Sequence, residues 1–305
     1  MTSHPPASVV LPTVEWTPAC REVADQLDQG DELLVVCDDA ADPVARRDAD
    51  LPDRTRLVFA GEPESCSGKA NAVAAGMEAA RNERVVWTDD DFHHPPDWLD
   101  RFHEDYERHG PVTELPFFVG RDPLATLLEP TYALGGTAGV YAGDNAWAGA
   151  VMFERDDLDE ESFLADLRRT VSDDGLLGER LDVTPLRRTR QVAVGGTIRE
   201  TLERHVRFVQ IVRHHDPVGM AAMVAAATVA TLFCLLAPLV AFPLLTLAYA
   251  GIYLAFGVRR WTALLAYPAT LCQVPLFAYA LARRTFVWGG RRYRWRSKFD
   301  VDVLD

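Results

Sequence analysis

The sequence predicts an α/β domain of mainly parallel strands, followed by a helical segment that enters a membrane. Three observations carry this expectation. Short β-rich runs alternate with helical stretches up to about residue 196, acidity stops abruptly after Asp216, and two long uncharged runs follow. Strands that alternate with helices imply parallel pairing and a sheet covered on both faces. A helix needs about 20 apolar residues to cross a bilayer.

The elements follow in order. SVVLP, ELLVVC, RLVFAG and RVVWT are strand-like runs, and CREVADQL, GKANAVAAGMEAAR and DWLDRFHEDYERH are helical stretches between or after them. Residues 1–196 therefore read as one α/β domain, without internal repeats or low-complexity segments. In TIRETLERHVRFVQIVRHH, within 197–216, Ile198, Leu202, Val206, Val209 and Val212 recur at spacings of three or four, with Arg199, Glu203, Arg204, Arg207 and Arg213 largely off that stripe. Such an amphipathic helix running into an apolar segment suits the membrane interface, the alternative being an ordinary helix packed on the domain.

Residues 217–282 form the expected membrane domain. Pro217–Val258 is 42 residues without a charge, long enough for two spans, and Pro238 and Pro243 mark the expected break between them. Trp261–Ala282 adds 22 uncharged residues but carries Pro268, Gln273 and Pro275, so it reads as a weaker span or a re-entrant segment. A buried soluble hairpin is the competing account of these runs. Arg259, Arg260 and the basic tail within 283–305 belong on the cytoplasmic side by the positive-inside rule. Two full spans and a re-entrant third segment keep both basic stretches there, with the α/β domain on the same face of the cell membrane.

Composition limits the functional classes. The 305 residues carry a formal net charge of −14, and the only lysines are Lys69 and Lys298. Surplus carboxylates with almost no lysine suit a high-salt cytoplasm, where screening weakens self-repulsion. No basic stripe is available to neutralise phosphates, which argues against nucleic acid as a partner. The five cysteines (Cys20, Cys37, Cys66, Cys234 and Cys272) form no CxxC pair, so neither a disulfide framework nor a zinc site follows. The opening MTSHPPASVV lacks a signal-peptide pattern.

Chemistry-bearing residues collect at strand ends, where open parallel sheets bind ligands. Asp38 and Asp39 follow ELLVVC, and Asp89, Asp90 and Asp91 follow RVVWT. Strand residues two apart share a face, so Asp89 and Asp91 can converge while Asp90 points away. Two such carboxylates fit a divalent cation (Mg²⁺ or Mn²⁺) that keeps waters and also takes phosphate oxygens. Lys69, in CSGKANA at a helix start, can approach a phosphate or a sugar hydroxyl. Asp173 and Asp174 precede another helical stretch, where N-capping accounts for them equally well. His93, His94, His214 and His215 read as loop or interface histidines.

Taken in order, these motifs resemble family 2 glycosyltransferases, whose catalytic domain has the GT-A fold, a mixed sheet with helices on both faces. SVVLPTVEW is similar to the opening strand and turn, DELLVVCDD to the nucleotide-contacting second strand, and SGKANAVAAGMEAA to the Gly-Lys-Ala helix. VVWTDDDFHHPPDWL resembles the DxD strand, AWAGAVMFERDDL the acceptor-side strand, and SDDGLLGERL the Glu-Asp motif that carries the base. RHVRF, Arg204–Phe208, resembles the interfacial (Q/R)xxRW motif of membrane-bound members, and the series reads best as the ceramide glucosyltransferase-like branch. Asp173 stands where the family usually has Glu, and Phe208 replaces the usual Trp.

The resemblance implies an inverting glycosyltransferase that moves a sugar from a nucleotide sugar to a lipid of the bilayer. It assigns Asp174 as base, Asp91 as metal ligand, and Asp38, Asp39, Lys69, Asp89, Arg204, Arg207 and Phe208 as donor-binding. A polyprenyl-phosphate sugar synthase and a non-catalytic nucleotide-sugar-binding membrane protein are the alternatives.

Overall fold

The computed structural model describes residues 4–304, so Met1–Ser3, on which the signal-peptide reading partly rests, and Asp305 lie outside the described residues. Strand β2 (Glu32–Cys37) is buried along its whole length. Successive side chains of a strand point to opposite faces, so both faces of this sheet are covered. Around β2, β1 (Ala7–Pro12), β3 (Thr55–Phe59) and β4 (Arg84–Thr88) run parallel, β1 pairing with both β2 and β4. The sequence expectation of parallel pairing holds for these four. β5 (Val112–Gly120), β6 (Ala150–Glu154) and β7 (Thr184–Val194) complete seven strands in the order β3-β2-β1-β4-β6-β5-β7. Because β6 runs antiparallel to β4, with Val86 opposite Met152, the sheet is mixed.

The crossover helices are α1 (Pro18–Ala24), α2 (Gly68–Ala79) and α3 (Trp98–His109). Alanine and glycine make α2 thin enough to lie almost on the strands. A Cβ built on Gly76 would stand 2.3 Å from Cγ1 of Val10, so only glycine permits this approach. On the same face, Trp87 meets Phe153 edge-on at 5.4 Å and Phe163 at 5.8 Å, beneath α6 (Glu160–Leu167) and α7 (Asp173–Arg180).

The chain divides into two units that are discontinuous in sequence. The first comprises Met1–Glu114, Asp144–Leu186 and Phe299–Val303, and the second Leu115–Gly143, Arg187–Lys298 and Leu304–Asp305. The second contains α4 (Pro123–Tyr132), the short α5 (Gly139–Ala142), α8 (Ile198–His215), α9 (Pro217–Leu236), α10 (Pro238–Ala255) and α11 (Ala266–Ala282). Asp122 caps α4 through the N–H groups of Leu124 and Ala125, and its other oxygen accepts from Thr201 at 2.5 Å, joining the start of α4 to the start of α8. Gly195 lets the backbone pass: its φ is +79°, and a Cβ there would lie 2.2 Å from Asp122 Oδ2.

α8 is the helix expected at the interface, and its packing differs from the simple stripe. Val206 and Val209 are buried within the unit, Ile198 is 53% exposed, and Thr201, Glu203, His205 and Gln210 are buried too. The polar members have partners: Glu203 pairs with Arg283 at 3.2 Å and accepts the Val287 N–H, while Gln210 donates to the carbonyls of Ala280 and Arg283.

Three segments are long and apolar enough to cross a membrane: Pro217–Leu236, Pro238–Ala255 and Trp261–Ala282, with mean hydropathies of 2.1, 1.7 and 1.4. The third is the least apolar and begins with a 3₁₀ turn before α11. Pro238 opens α10 and Pro243 lies inside that helix, so only the first marks the break. The basic tail is structured. β8 (Thr285–Trp288) and β9 (Arg291–Ser297) form an antiparallel hairpin around Gly289 and Gly290, both at positive φ, and β10 (Asp300–Leu304) follows.

Candidate active site

Because β1, β2 and β4 are parallel, their carboxyl ends lie along one edge of the sheet, and the candidate residues of the first unit start there. Lys69 occupies the first turn of α2, capped by Ser67, which accepts from the Ala70 N–H at 3.0 Å. The Ser67 hydroxyl donates to the Val171 carbonyl at 2.8 Å, and its N–H donates to Thr170 O. These bonds tie the start of α2 to the loop that opens α7. Lys69 Nζ consequently reaches two carboxylates: Asp89 at 2.6 Å, just beyond β4, and Asp173 at 3.1 Å, at the start of α7.

N-capping does not account for Asp173 and Asp174. Ser172 is the cap, accepting from Gly175 N–H at 3.0 Å, and the two aspartates are the first helical residues. Asp173 is buried against Lys69, while Asp174 accepts the Ala148 N–H at 2.7 Å. Burial and the neighbouring Asp173 carboxylate push the Asp174 carboxyl up to about 7, against the opposing pull of Lys69 and the Ala148 N–H. Burial works against the Lys69 charge, but Asp173, Asp89 and Asp174 outweigh it and hold the ammonium well above its usual range.

The three consecutive aspartates are used in three ways. Asp89 binds Lys69. Asp90, expected only to point away from the other two, is half-buried and accepts from the Thr13 hydroxyl at 2.5 Å, just past the end of β1. Burial raises its proton affinity first of all, and Thr13 opposes that rise. Asp91 is the exposed one. Asp39 is also exposed and accepts from the Ala41 N–H at 2.6 Å, while Asp42 gathers the N–H groups of the half-buried Asp38 and of Asp39 at 2.8 and 3.2 Å. Asp42, Thr13, Ser67 and Ser172 escaped the sequence reading. The two serines carried a usable signal, each standing immediately before a helix.

Among the described residues, no group of three or more His, Cys, Asp or Glu is arranged to hold a metal ion. The donor chemistry at Asp91 still fits Mg²⁺ or Mn²⁺, which are often held by one or two carboxylates with waters and substrate phosphates completing the shell.

Arg204, Arg207 and Phe208 belong to the second unit. The Arg204 guanidinium stacks over Phe118 and Phe208, 4.2 and 4.3 Å from their centroids, with Tyr132 at 5.3 Å. Arg207 lies 3.9 Å from the Trp288 ring of the C-terminal hairpin. Phe208, which stands where the usual Trp would be, thus offers its ring to Arg204 one turn before it in α8. Nearby, Glu129 is fully buried and receives Arg260 through two bonds of 2.8 and 2.9 Å and Thr262 through one of 2.5 Å. Arg260, read from sequence only as a topological charge, therefore has a structural counter-ion.

The sequence profile described as Glycosyl transferase family 21 matches residues 34–301. The chain belongs to glycosyl transferase family 21. The motif series alone resembled family 2 and its ceramide glucosyltransferase-like branch; the match supports a glycosyltransferase, and that branch fits family 21 loosely. No curated protein matches this glycosyltransferase. Among solved structures, it is similar to glucosyl-3-phosphoglycerate synthase from Mycobacterium tuberculosis in complex with Mg²⁺ and UDP. That likeness is 18% identity over 68% of this chain and 77% of the other, with a TM-score of 0.42. The same synthase with Mn²⁺, UDP and glucosyl-3-phosphoglycerate gives 19%, 68%, 77% and 0.40, and a mycobacterial protein gives 18%, 68%, 74% and 0.42.

Proposed function

We propose that this family 21 glycosyltransferase moves a sugar from a nucleotide-sugar donor to a hydroxyl of a membrane lipid, inverting the anomeric carbon. One observation carries the reading. A carboxyl group of near-neutral proton affinity, Asp174, sits at a helix start that Lys69 links to the strand-end Asp89.

Asp174 takes the proton of the acceptor hydroxyl as its oxygen bonds to the anomeric carbon and the bond to the donor phosphate breaks, with the electron pair leaving on the nucleoside diphosphate. Attack from the face opposite the leaving group inverts the centre. Asp91 would hold the divalent cation, which when bound supplies charge neutralisation for the diphosphate. Lys69 fixes Asp89 and Asp173, and Asp38 and Asp39 lie at the neighbouring strand end for the nucleotide. Arg204 and Arg207 are the guanidinium groups suited to a diphosphate. The lipid acceptor rests on the three apolar segments, and the cytoplasmic placement on the basic residues that flank them.

An acceptor that is already an ionised lipid phosphate needs no deprotonation. The raised proton affinity of Asp174 therefore favours a neutral hydroxyl over the polyprenyl-phosphate alternative. The test incubates membranes containing the protein with a panel of labelled nucleotide sugars and analyses the lipid extract by mass spectrometry. A new glycolipid that disappears with Asp174→Asn is expected; label found only in water-soluble products would overturn the lipid acceptor.

A further inference from the structure

Arg213 stands in the last turn of α8, one turn before the chain becomes apolar at Pro217. That junction marks the depth at which headgroups meet acyl chains, if α9 is embedded as proposed above. Arg213 is exposed, and among the described residues no carboxylate lies within ion-pairing distance of it. The nearest acid in sequence, Asp216, is engaged in capping α9, accepting from Gly219 N–H at 2.8 Å. His214 and His215 lean on the Trp295 ring, at 4.7 and 5.9 Å between centroids.

From Arg213 a shallow groove of about 660 Å³ runs over Met220, Ala221, Val224 and Ala225 of α9 to Leu281 of α11. The four α9 positions lie on one face of the helix, and the two alanines give the groove its depth. One end is cationic and the floor is apolar. The surrounding unit has 17 basic and 6 acidic residues, a net +11 in a chain of −14.

We infer that this groove is a binding site for one anionic membrane lipid, its phosphodiester headgroup on Arg213 and an acyl chain along α9. Charge complementarity selects the occupant. A zwitterionic lipid would bring a choline or ethanolamine cation to the same arginine, whereas phosphatidylglycerol brings the same phosphodiester with no cation beside it. The inference rests on the membrane reading of α9 but not on sugar transfer.

The experiment uses the full chain, purified and delipidated in detergent, titrated with phosphatidylglycerol or with phosphatidylcholine of identical chains and read by native mass spectrometry. Phosphatidylglycerol should be retained in preference. Arg213→Gln should weaken that lipid about fivefold, the value of one arginine near an anionic surface, and leave phosphatidylcholine unchanged. Ala221→Trp should weaken both by filling the groove, and Arg292→Gln, in the C-terminal hairpin, should weaken neither. Because Arg213 is exposed, its substitution decides the matter even if Ala221→Trp folds poorly. Equal retention of the two lipids, or an equal loss in Arg292→Gln, overturns the site. If lipid selectivity holds while no nucleotide sugar is consumed, the functional reading fails and this one stands.

Discussion

At Asp174 two demands oppose each other. Burial and Asp173 make its carboxylate costly, and a general base must still be ionised to work. Asp174→Asn keeps the size but cannot take the proton, so kcat should fall by about 10²–10⁴-fold with little change in donor affinity. Donor titration by calorimetry beside turnover checks this, and a mutant that binds donor and turns over like wild type removes Asp174 as the base. In wild type, kcat/KM should rise with pH through a midpoint near 7, where the free enzyme loses the Asp174 proton. The stability effect has the opposite sign. The folded state holds this proton more tightly than the unfolded state, so the contribution is full below about pH 4 and is lost as pH rises towards 7. Asp174→Asn should therefore melt higher than wild type at pH 8, and the gap should close towards pH 4. A second prediction concerns the aspartate run. Asp91→Asn should remove most activity and be only partly rescued by added Mn²⁺ or Mg²⁺. Asp90→Ala should cost about 0.5–1.5 kcal/mol of stability, the net worth of one hydrogen bond, because the part-buried Thr13 hydroxyl loses Asp90 but keeps the Glu15 carbonyl as an acceptor at 2.7 Å. Chemical denaturation showing Asp90→Ala to be neutral would return Asp90 to the status of surface charge.

Among the elements, α2 offers the sharpest test of packing. Gly76→Ala forces a methyl into Val10 and should destabilise by about 1–3 kcal/mol, whatever alanine gains in helix propensity. A thermal melt that moves upward would show that the sheet yields there. The same scale explains what the sequence made legible. The runs ELLVVC and RVVWT became β2 and β4 with the expected ends, because fully buried parallel strands are uninterrupted apolar runs. VTELPFFVG and TPLRRTRQVAV hid β5 and β7. The first has a proline within it, and the second alternates arginines on a partly exposed strand. Of the site, the strand-end aspartates and Lys69 were visible as residue types at the right places. The ion pair between Lys69 and Asp173 was not, since it depends on Ser67 bonds reaching 104 residues along the chain. The buried pairing of Glu129 with Arg260 escaped for the same reason, lying 131 residues apart.

Across the whole molecule, charge is divided as unevenly as hydropathy. The first unit has 39 acidic and 14 basic residues, a net −25. Self-repulsion of that size should weaken as the Debye length shrinks from about 10 Å at 0.1 M salt to about 3 Å at 1 M. The melting temperature should accordingly rise between 0.1 and 1 M KCl, as followed by tryptophan fluorescence; a fall would mean that the ion pairs matter more than the repulsion. The last strand of the chain carries a different consequence. Phe299 packs against the core beneath α2 and under the Arg169 guanidinium at 5.3 Å, and Val301 is buried, although all three long apolar segments precede them in sequence. During synthesis the first unit therefore stays one segment short until every apolar segment has been translated. On the membrane reading proposed above, a chain stalled or clipped before residue 299 would carry all three apolar segments and yet lack the stretch that completes this unit. The order of translation thus places completion of the first unit after synthesis of the segments proposed to span the membrane.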